Sequence, residues 1–385
     1  MSERLHIDIE SFSEADLKKV GMYAYAEHPS TEVLVLCFSH GHGPVNIWIP
    51  AEERDIPEAV IAAVRAKLDS AATLYIQPLC PDVLVRAVES GMELGAHNAG
   101  FERTMLNGHA GQRIGFPQTE AKQWVCTAAK ARAHGLPGAL GDVAKALGSH
   151  PKDEDGKADM MRVTKPRKLS KNDPTVCYTP DNAPEKFIKL YSYCADDVRA
   201  ERDIDKTVPD LSPSERKVWI LDQCINDRGV RVDLDAIDNV QILIDEYKKE
   251  LEAKCLKWTG VKPTQREKIA DWIRANGWPH LEDLQAETVN TLVADERVPD
   301  PVKRILRLYS TYGMKAVTKY ETMKDAACAD GRIRGMFIYH GATTGRWSSF
   351  TVQLHNLFRP VIKDTLTAID AFAARSLIWV RGLYS

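Results

Sequence analysis

Apolar and polar side chains alternate in residues 5–10, which is typical of a β-strand with one buried face. The apolar residues fall on one side of this strand, and His6, Asp8 and Glu10 fall on the other. Two carboxylates that close repel each other unless a cation holds them, and hard divalent ions take oxygen ligands. The strand therefore predicts a metal site. The alternative is an edge strand whose acidic face is solvated.

The same patterning predicts a mixed α/β fold for the first half of the chain. Further strands are expected at residues 23–25, 33–38, 46–49 and 74–76. Helices are expected at residues 57–68, 81–89, 140–147 and 185–205.

A short strand is predicted to end near His97, with Asn98 as the N-cap of the helix that follows. Glu102 lies four residues further on, so that the amide and the carboxylate would share one helical face. Taken alone, Asn98 could be only a cap and Glu102 only an acid favoured by the helix dipole.

The helix at residues 185–205 has an apolar stripe for packing against the core. Tyr193 and Asp197 lie one turn apart at the margin of that stripe. A phenol beside a carboxylate at this spacing is common and is usually structural, so the pair by itself indicates little.

The second half of the chain is predicted to be mainly helical. A capped helix begins within residues 211–215, and residues 227–233 form a turn into another helix. Apolar residues at near-heptad spacing in residues 237–258 predict long helices packed as a pair. A strand at residues 333–339 and a Gly/Ser-rich loop at residues 341–349 follow.

Composition indicates the size class and the cellular compartment of the protein. The 385 residues suit two or three domains, and 44% hydrophobic and 27% charged residues are ordinary for a soluble protein. No apolar run is long enough for a membrane span and no signal peptide is evident, so we expect a cytoplasmic protein without a membrane partner. The net charge of -3 gives no overall nucleic-acid signature, so any basic surface must be local.

Taken in order, the motifs resemble the three exonuclease motifs of the tyrosine-type DEDD family, as found in the proofreading domain of phage-type family A (DNA polymerase I-like) polymerases. Asp8 and Glu10 match the first motif, Asn98 and Glu102 the second, and Tyr193 and Asp197 the third. The family usually has Asp in the second motif, whereas this chain has Glu102, which is one methylene longer.

The resemblance implies a metal-dependent 3′→5′ exonuclease that acts on single-stranded DNA 3′ ends. Asp8, Glu10, Glu102 and Asp197 would hold two Mg²⁺ or Mn²⁺ ions, which activate water and stabilise the leaving 3′ oxygen. Tyr193 is too weak an acid to be the base, and it would hold water and phosphate by hydrogen bonding. Residues 1–209 would form a ribonuclease H-like mixed sheet with flanking helices.

The second half resembles the thumb and first palm strand of the same polymerases, which bind primer–template DNA and serve DNA replication. Residues 210–332 would be a helical thumb-like region, and residues 333–385 the start of a palm. Residues 344–349 and 353–357 resemble the family segment T-G-R-x-S-S…N-L-Q-N, which implies DNA contacts by Arg346, Gln353 and Asn356. This chain has His355 where Gln is usual, and Phe358 where Pro is usual.

The palm aspartates and fingers helix of a polymerase are not found after Asn356. We therefore expect no DNA synthesis by this chain alone, and a partner chain could supply the palm and fingers. The resemblance also implies a source in a phage or its bacterial host. Two alternatives stay open: a DNA-binding polymerase fragment whose metal site is impaired by Glu102, and an RNA 3′-trimming nuclease of the same superfamily.

Overall fold

The computed structural model describes residues 4–148, 161–167, 177–314 and 317–354. A mixed sheet in the first half has the strand order β4-β3-β2-β1-β5-β6. Its strands are β1 (Leu5–Phe12), β2 (Glu32–His40), β3 (Asn46–Ile49), β4 (Leu74–Ile76), β5 (Leu94–Ala96) and β6 (Trp124–Cys126). β1 pairs antiparallel with β2 and parallel with β5, so it lies inside the sheet. The edge-strand alternative is therefore wrong.

Helices cover both faces of this sheet. They are α1 (Leu17–Glu27), α2 (Glu58–Arg65), α3 (Asp82–Glu89), α4 (Gly100–Asn107), α5 (His109–Arg113), α6 (Thr127–Ala133), α7 (Leu140–Leu147) and α8 (Pro184–Thr207). α8 begins with Pro184 in its first turn and Glu185 after it, which is a favourable helix start.

Strand alternation decides which side chains enter which core. On one face of the sheet, Leu5, Ile7 and Ile9 of β1 pack with α3 and α4. On the other face, Val35 and Cys37 of β2 pack with α2 and with the apolar stripe of α8. The polar side of β1 therefore faces α8, and the predicted α/β arrangement is confirmed.

The second half of the chain is mainly helical, as predicted. Its helices are α9 (Pro213–Arg228), α10 (Leu234–Thr259), α11 (Arg266–Ala275), α12 (Ala286–Ala294), α13 (Asp300–Tyr312) and α14 (Thr318–Asp325). Short strand pairs join β7 (Val230–Arg231) to β8 (Arg332–Ile333), and β9 (Phe337–Ile338) to β10 (Ser348–Ser349). The predicted cap within residues 211–215 is present, since the Ser212 side chain accepts from the Glu215 backbone N–H. At the start of α10, the Asp233 side chain accepts from the Ala236 backbone N–H.

Two predicted features are wrong. Residues 23–25 belong to α1 instead of a strand: Asp16 caps the helix, and Gly21, at φ 76°, interrupts it. The long helix α10 does not form a continuous heptad pair. Only Ile237, Leu251 and Cys255 of α10 are buried, so it packs near its two ends.

None of the described helices has the length and apolar composition needed to cross a bilayer. Asn356 and most of the predicted palm segment, residues 355–385, lie outside the described residues, as do His355 and Phe358.

Candidate active site

The polar side of β1 lies in a layer between the sheet and α8. His6 is buried, while Asp8 and Glu10 are partly buried. Immediately after Glu10 the pairing of β1 with β2 shifts register, a local irregularity that re-aims side chains and is frequent beside active sites. The Cys194 thiol of α8 donates to the Asp8 backbone carbonyl at 3.4 Å, which joins the helix to the strand at this point.

The predicted carboxylates converge across this layer. Ligand oxygens of Asp8, Glu10 and Asp197 all lie within 4.8 Å of one another, although Asp197 is far away in sequence. Three carboxylates at this spacing offer the hard oxygen donors that Mg²⁺ and Mn²⁺ take. The donor set thus fits a divalent cation.

Tyr193 lies one turn before Asp197 and is buried. Burial, and next the charge of Asp197, raise the pKa of the Tyr193 phenol, which also shares a side-chain hydrogen bond with Asp197. The phenol therefore stays protonated at neutral pH and donates a hydrogen bond. The role of Tyr193 in holding water and phosphate stays a prediction.

Glu102 reaches the same layer from α4. Its side chain is 4% exposed, and burial followed by the charge of Asp8 raises the pKa of its carboxyl well above the usual range. Within the described part of the chain, Glu102 Oε2 has no hydrogen-bond partner. A buried carboxylate oxygen without a hydrogen-bond partner is stabilised when it binds a proton or a cation. Glu102 is nevertheless outside the group of three whose oxygens lie within 4.8 Å.

Asn98 does not cap α4. It has a left-handed backbone with φ 71°, which Asn tolerates better than most residues, and the N-cap position belongs to Ala99. The Asn98 carbonyl accepts from the Phe101 N–H at 2.8 Å, and its side chain is exposed. The N-cap prediction is therefore wrong, while the predicted DNA contact stays a prediction.

The predicted DNA-binding residues of the second half lie apart from the acidic group in sequence, on the segment after β9. Arg346 and Gln353 are exposed. Trp347 next to Arg346 donates its indole N–H to Asp222 of α9 at 2.7 Å, and β9 pairs with β10. The backbone around Arg346 is thus held against α9.

Sequence reasoning placed His6 on the polar side of β1 without giving it a role, and it missed Glu201. Glu201 of α8 is 2% exposed, and its Oε2 lies 2.6 Å from Nδ1 of the buried His6. The signal was present, because Glu201 lies four residues after Asp197 just as Asp197 lies four after Tyr193, so all three share one face of the helix.

Comparison with known proteins gives a phage DNA polymerase as a relative. No family model matches the sequence. Across 94% of its residues, however, the chain aligns with that phage DNA polymerase, which is consistent with a family A polymerase-like protein. This relative is the DNA polymerase of Bacillus phage SP02, to which the chain is 36% identical over 370 residues. The chain spans 52% of the length of that polymerase.

Among solved structures, the polymerase domain of Pol1 from M. smegmatis, in complex with DNA primer-template and dNTP, matches with a TM-score of 0.49. Its sequence identity is 14%, and the match covers 95% of this chain and 53% of that one.

Proposed function

We propose that the chain is a metal-dependent 3′→5′ exonuclease that removes nucleotides from DNA 3′ ends, in a ribonuclease H-like domain formed by residues 1–209. The observation that carries this proposal is the convergence of Asp8, Glu10 and Asp197 from β1 and α8 within 4.8 Å. A structural role would favour opposite charges here, whereas three acids favour a cation.

Each residue has a specific role in this proposal. Asp8, Glu10 and Asp197 bind two divalent cations, Mg²⁺ or Mn²⁺, and Glu102 supplies a further carboxylate through its unpartnered Oε2. When bound, such ions lower the pKa of an attacking water and stabilise the leaving 3′ oxygen. The Tyr193 phenol has a single O–H, which it donates to Asp197 in the free protein and would donate to water or phosphate once DNA is bound.

The second half of the chain would bind DNA. Residues 210–332 would form a thumb-like region and residues 333–385 the start of a palm, with Arg346, Gln353 and Asn356 against primer–template DNA and Asn98 near the 3′ end. The exposure of Arg346 and Gln353 supports contact with a large ligand, and the phage relative is a DNA polymerase by name. A nuclease site in the first half and a DNA-binding second half together would serve proofreading during DNA replication.

The test is mononucleotide release from a 3′-labelled single strand by the purified chain with Mg²⁺ or Mn²⁺. We expect release that stops with a chelator and that Asp197→Ala abolishes. Asp196→Ala is the matched control, since Asp196 is the neighbouring acid on α8 and pairs with Arg199 at 2.6 Å. Equal loss in both variants, or no release with either ion, would contradict the proposal.

A further inference from the structure

The polar side chains of β1 and α8 face each other as an ordered series of pairs. Every second residue of a strand advances about 6.6 Å, and every fourth residue of a helix advances about 6 Å, so the two series stay in step over a few pairs. Arg4 pairs with Asp205 at 2.8 Å, and His6 pairs with Glu201 at 2.6 Å.

The next pair along the series differs in charge. It brings Asp8 of β1 and Asp197 of α8 within 4.8 Å, so it joins two acids where the two preceding pairs join opposite or complementary groups. Like charges repel, and this repulsion favours separation of the strand from the helix when no cation is bound. Contacts elsewhere along the series must hold the two acids at this distance.

The His6–Glu201 pair can hold Asp8 and Asp197 close together because the surrounding residues leave it little room to move. Both side chains are almost fully buried. Gly95 of β5 lies directly beside them: a Cβ at that position would lie 2.9 Å from His6 Nδ1 and 3.3 Å from Glu201 Oε1. A side chain at residue 95 would therefore push the pair apart, and glycine leaves the space that the pair needs.

We infer that His6 and Glu201 are positioning residues for the metal site, an inference that rests on the proposed nuclease function. Their hydrogen bond fixes the register of β1 on α8, which in turn sets the distance between Asp8 and Asp197. Neither residue touches the ion in this account. Loss of the hydrogen bond lowers metal affinity because the two carboxylates are no longer held ready for the cation.

The experiment measures Mn²⁺ binding to the metal-free full chain by calorimetry, without DNA. Glu201→Ala removes the hydrogen bond, and we expect it to weaken binding by about tenfold or more, the usual effect of losing a partner that orients metal ligands. Glu201→Gln keeps an acceptor for His6 and should bind within a few-fold of wild type. Glu185→Ala, an exposed acid on the same helix, is the control and should not change binding.

Two outcomes overturn the inference. Wild-type affinity in Glu201→Ala would show that the pair does not position the ligands. Equal weakening in Glu201→Gln and Glu201→Ala would show that Glu201 acts through its charge, as a ligand would.

A second variant keeps the test decisive if Glu201→Ala fails to fold. Gly95→Ala leaves the His6 and Glu201 side chains and every charge unchanged, but its Cβ crowds the pair. We expect it to weaken Mn²⁺ binding as well. Unchanged binding in a folded Gly95→Ala protein would contradict the inference. Because DNA is absent, the result is independent of nuclease activity. A wild-type chain that binds Mn²⁺ but cleaves no DNA would refute the proposed function alone.

Discussion

The polar layer between β1 and α8 has two ends that share one scaffold and differ in charge. At the balanced end, Lys130 and Arg4 both contact Asp205, at 2.6 and 2.8 Å. At the acidic end, carboxylate oxygens of Asp8 and Asp197 approach one another together with Glu10. The same strand and helix supply residues to both ends, and the two ends differ in the charges of those residues.

We interpret this difference as that between a structural cluster and the proposed metal site. Buried charges cost desolvation free energy, which close partners of opposite sign offset at the balanced end. Acids that crowd one another weaken the fold, and proteins retain such arrangements where a ligand or reaction needs them. Burial, and next the charge of Asp8, raises the pKa of the Glu102 carboxyl.

The largest expected effect is on activity at the acidic end. Asp8→Ala should lower the nuclease rate by about 10²-fold or more, since it removes a ligand of the metal ions that would stabilise charge in the transition state. The metal-free melting temperature should stay the same or rise, because one repulsive charge is gone. Rate assays and thermal melts check this prediction, and an active Asp8→Ala variant would contradict the assignment.

At the balanced end the effect should fall on stability instead. Lys130→Met leaves Asp205 and Asp210 without their shared ammonium partner, which is only 2% exposed as a side chain. Because Arg4 still contacts Asp205, that carboxylate keeps a cationic partner, and the expected cost is about 1–3 kcal/mol of unfolding free energy. Nuclease activity per folded molecule should persist.

Urea unfolding measures the cost, with Lys254→Met as the control. Lys254 forms an ion pair with Glu250 on the surface of α10, and such exposed pairs contribute about 0–1 kcal/mol. Equal destabilisation by the two variants would show that the balanced cluster has no special structural role.

Asp222 of α9, a buried acid outside the polar layer, gives a pH-dependent contrast with both ends. Its partners are neutral donors of Trp347, Gln223 and Asn226. Burial raises the pKa of its carboxyl to about 6, against an ordinary value of 3.8. The folded state therefore holds this proton more tightly than the unfolded state, and the contribution of Asp222 to stability falls as pH rises from about 4 to 6.

Asp222→Asn removes that titration. The unfolding free energy of the variant minus that of wild type should increase with pH across this window, by at most about 3 kcal/mol for a shift of this size. Urea unfolding at pH 4, 5, 6 and 7 checks the trend. A difference that is constant with pH would mean that Asp222 titrates normally.

The smallest of the four effects concerns Glu102. If its carboxylate completes the metal site, Glu102→Gln should cut the nuclease rate about tenfold, as loss of a supporting group does. Glu102→Asp should keep or raise the rate, because it restores the usual family residue. Steady-state rates at several Mn²⁺ concentrations test both, and equal rates for Glu102→Gln and wild type would leave Glu102 as a helix-start residue only.

Local periodicity was enough to predict most of this site. Asp8 and Glu10 share a strand face, and Tyr193 and Asp197 share a helix face, because each pair depends only on spacing within one element. Their common location followed from the family resemblance. The paired series was not predicted, since His6 and Glu201 are 195 residues apart and a helical Glu is usually exposed.

The errors have equally specific causes. Tyr23 and Tyr25 favour strands by intrinsic propensity, yet tertiary contacts place them in α1, where Tyr23 bonds Asp227 and Tyr25 bonds Ser11. Asn98 is a good N-cap residue and also tolerates a left-handed backbone, and the structure uses the second property. Sequence alone does not decide between these two uses.

The 3′→5′ direction of digestion can be measured directly. One single-stranded oligonucleotide is labelled at its 3′ end or at its 5′ end, and each form is incubated in Mn²⁺ with wild type or with Asp197→Ala. The account predicts that wild type releases the 3′ label first as a mononucleotide and shortens the 5′-labelled strand one nucleotide at a time. Asp197→Ala should leave both strands intact. Internal cleavage, loss of the 5′ label first, or digestion that survives Asp197→Ala would contradict it.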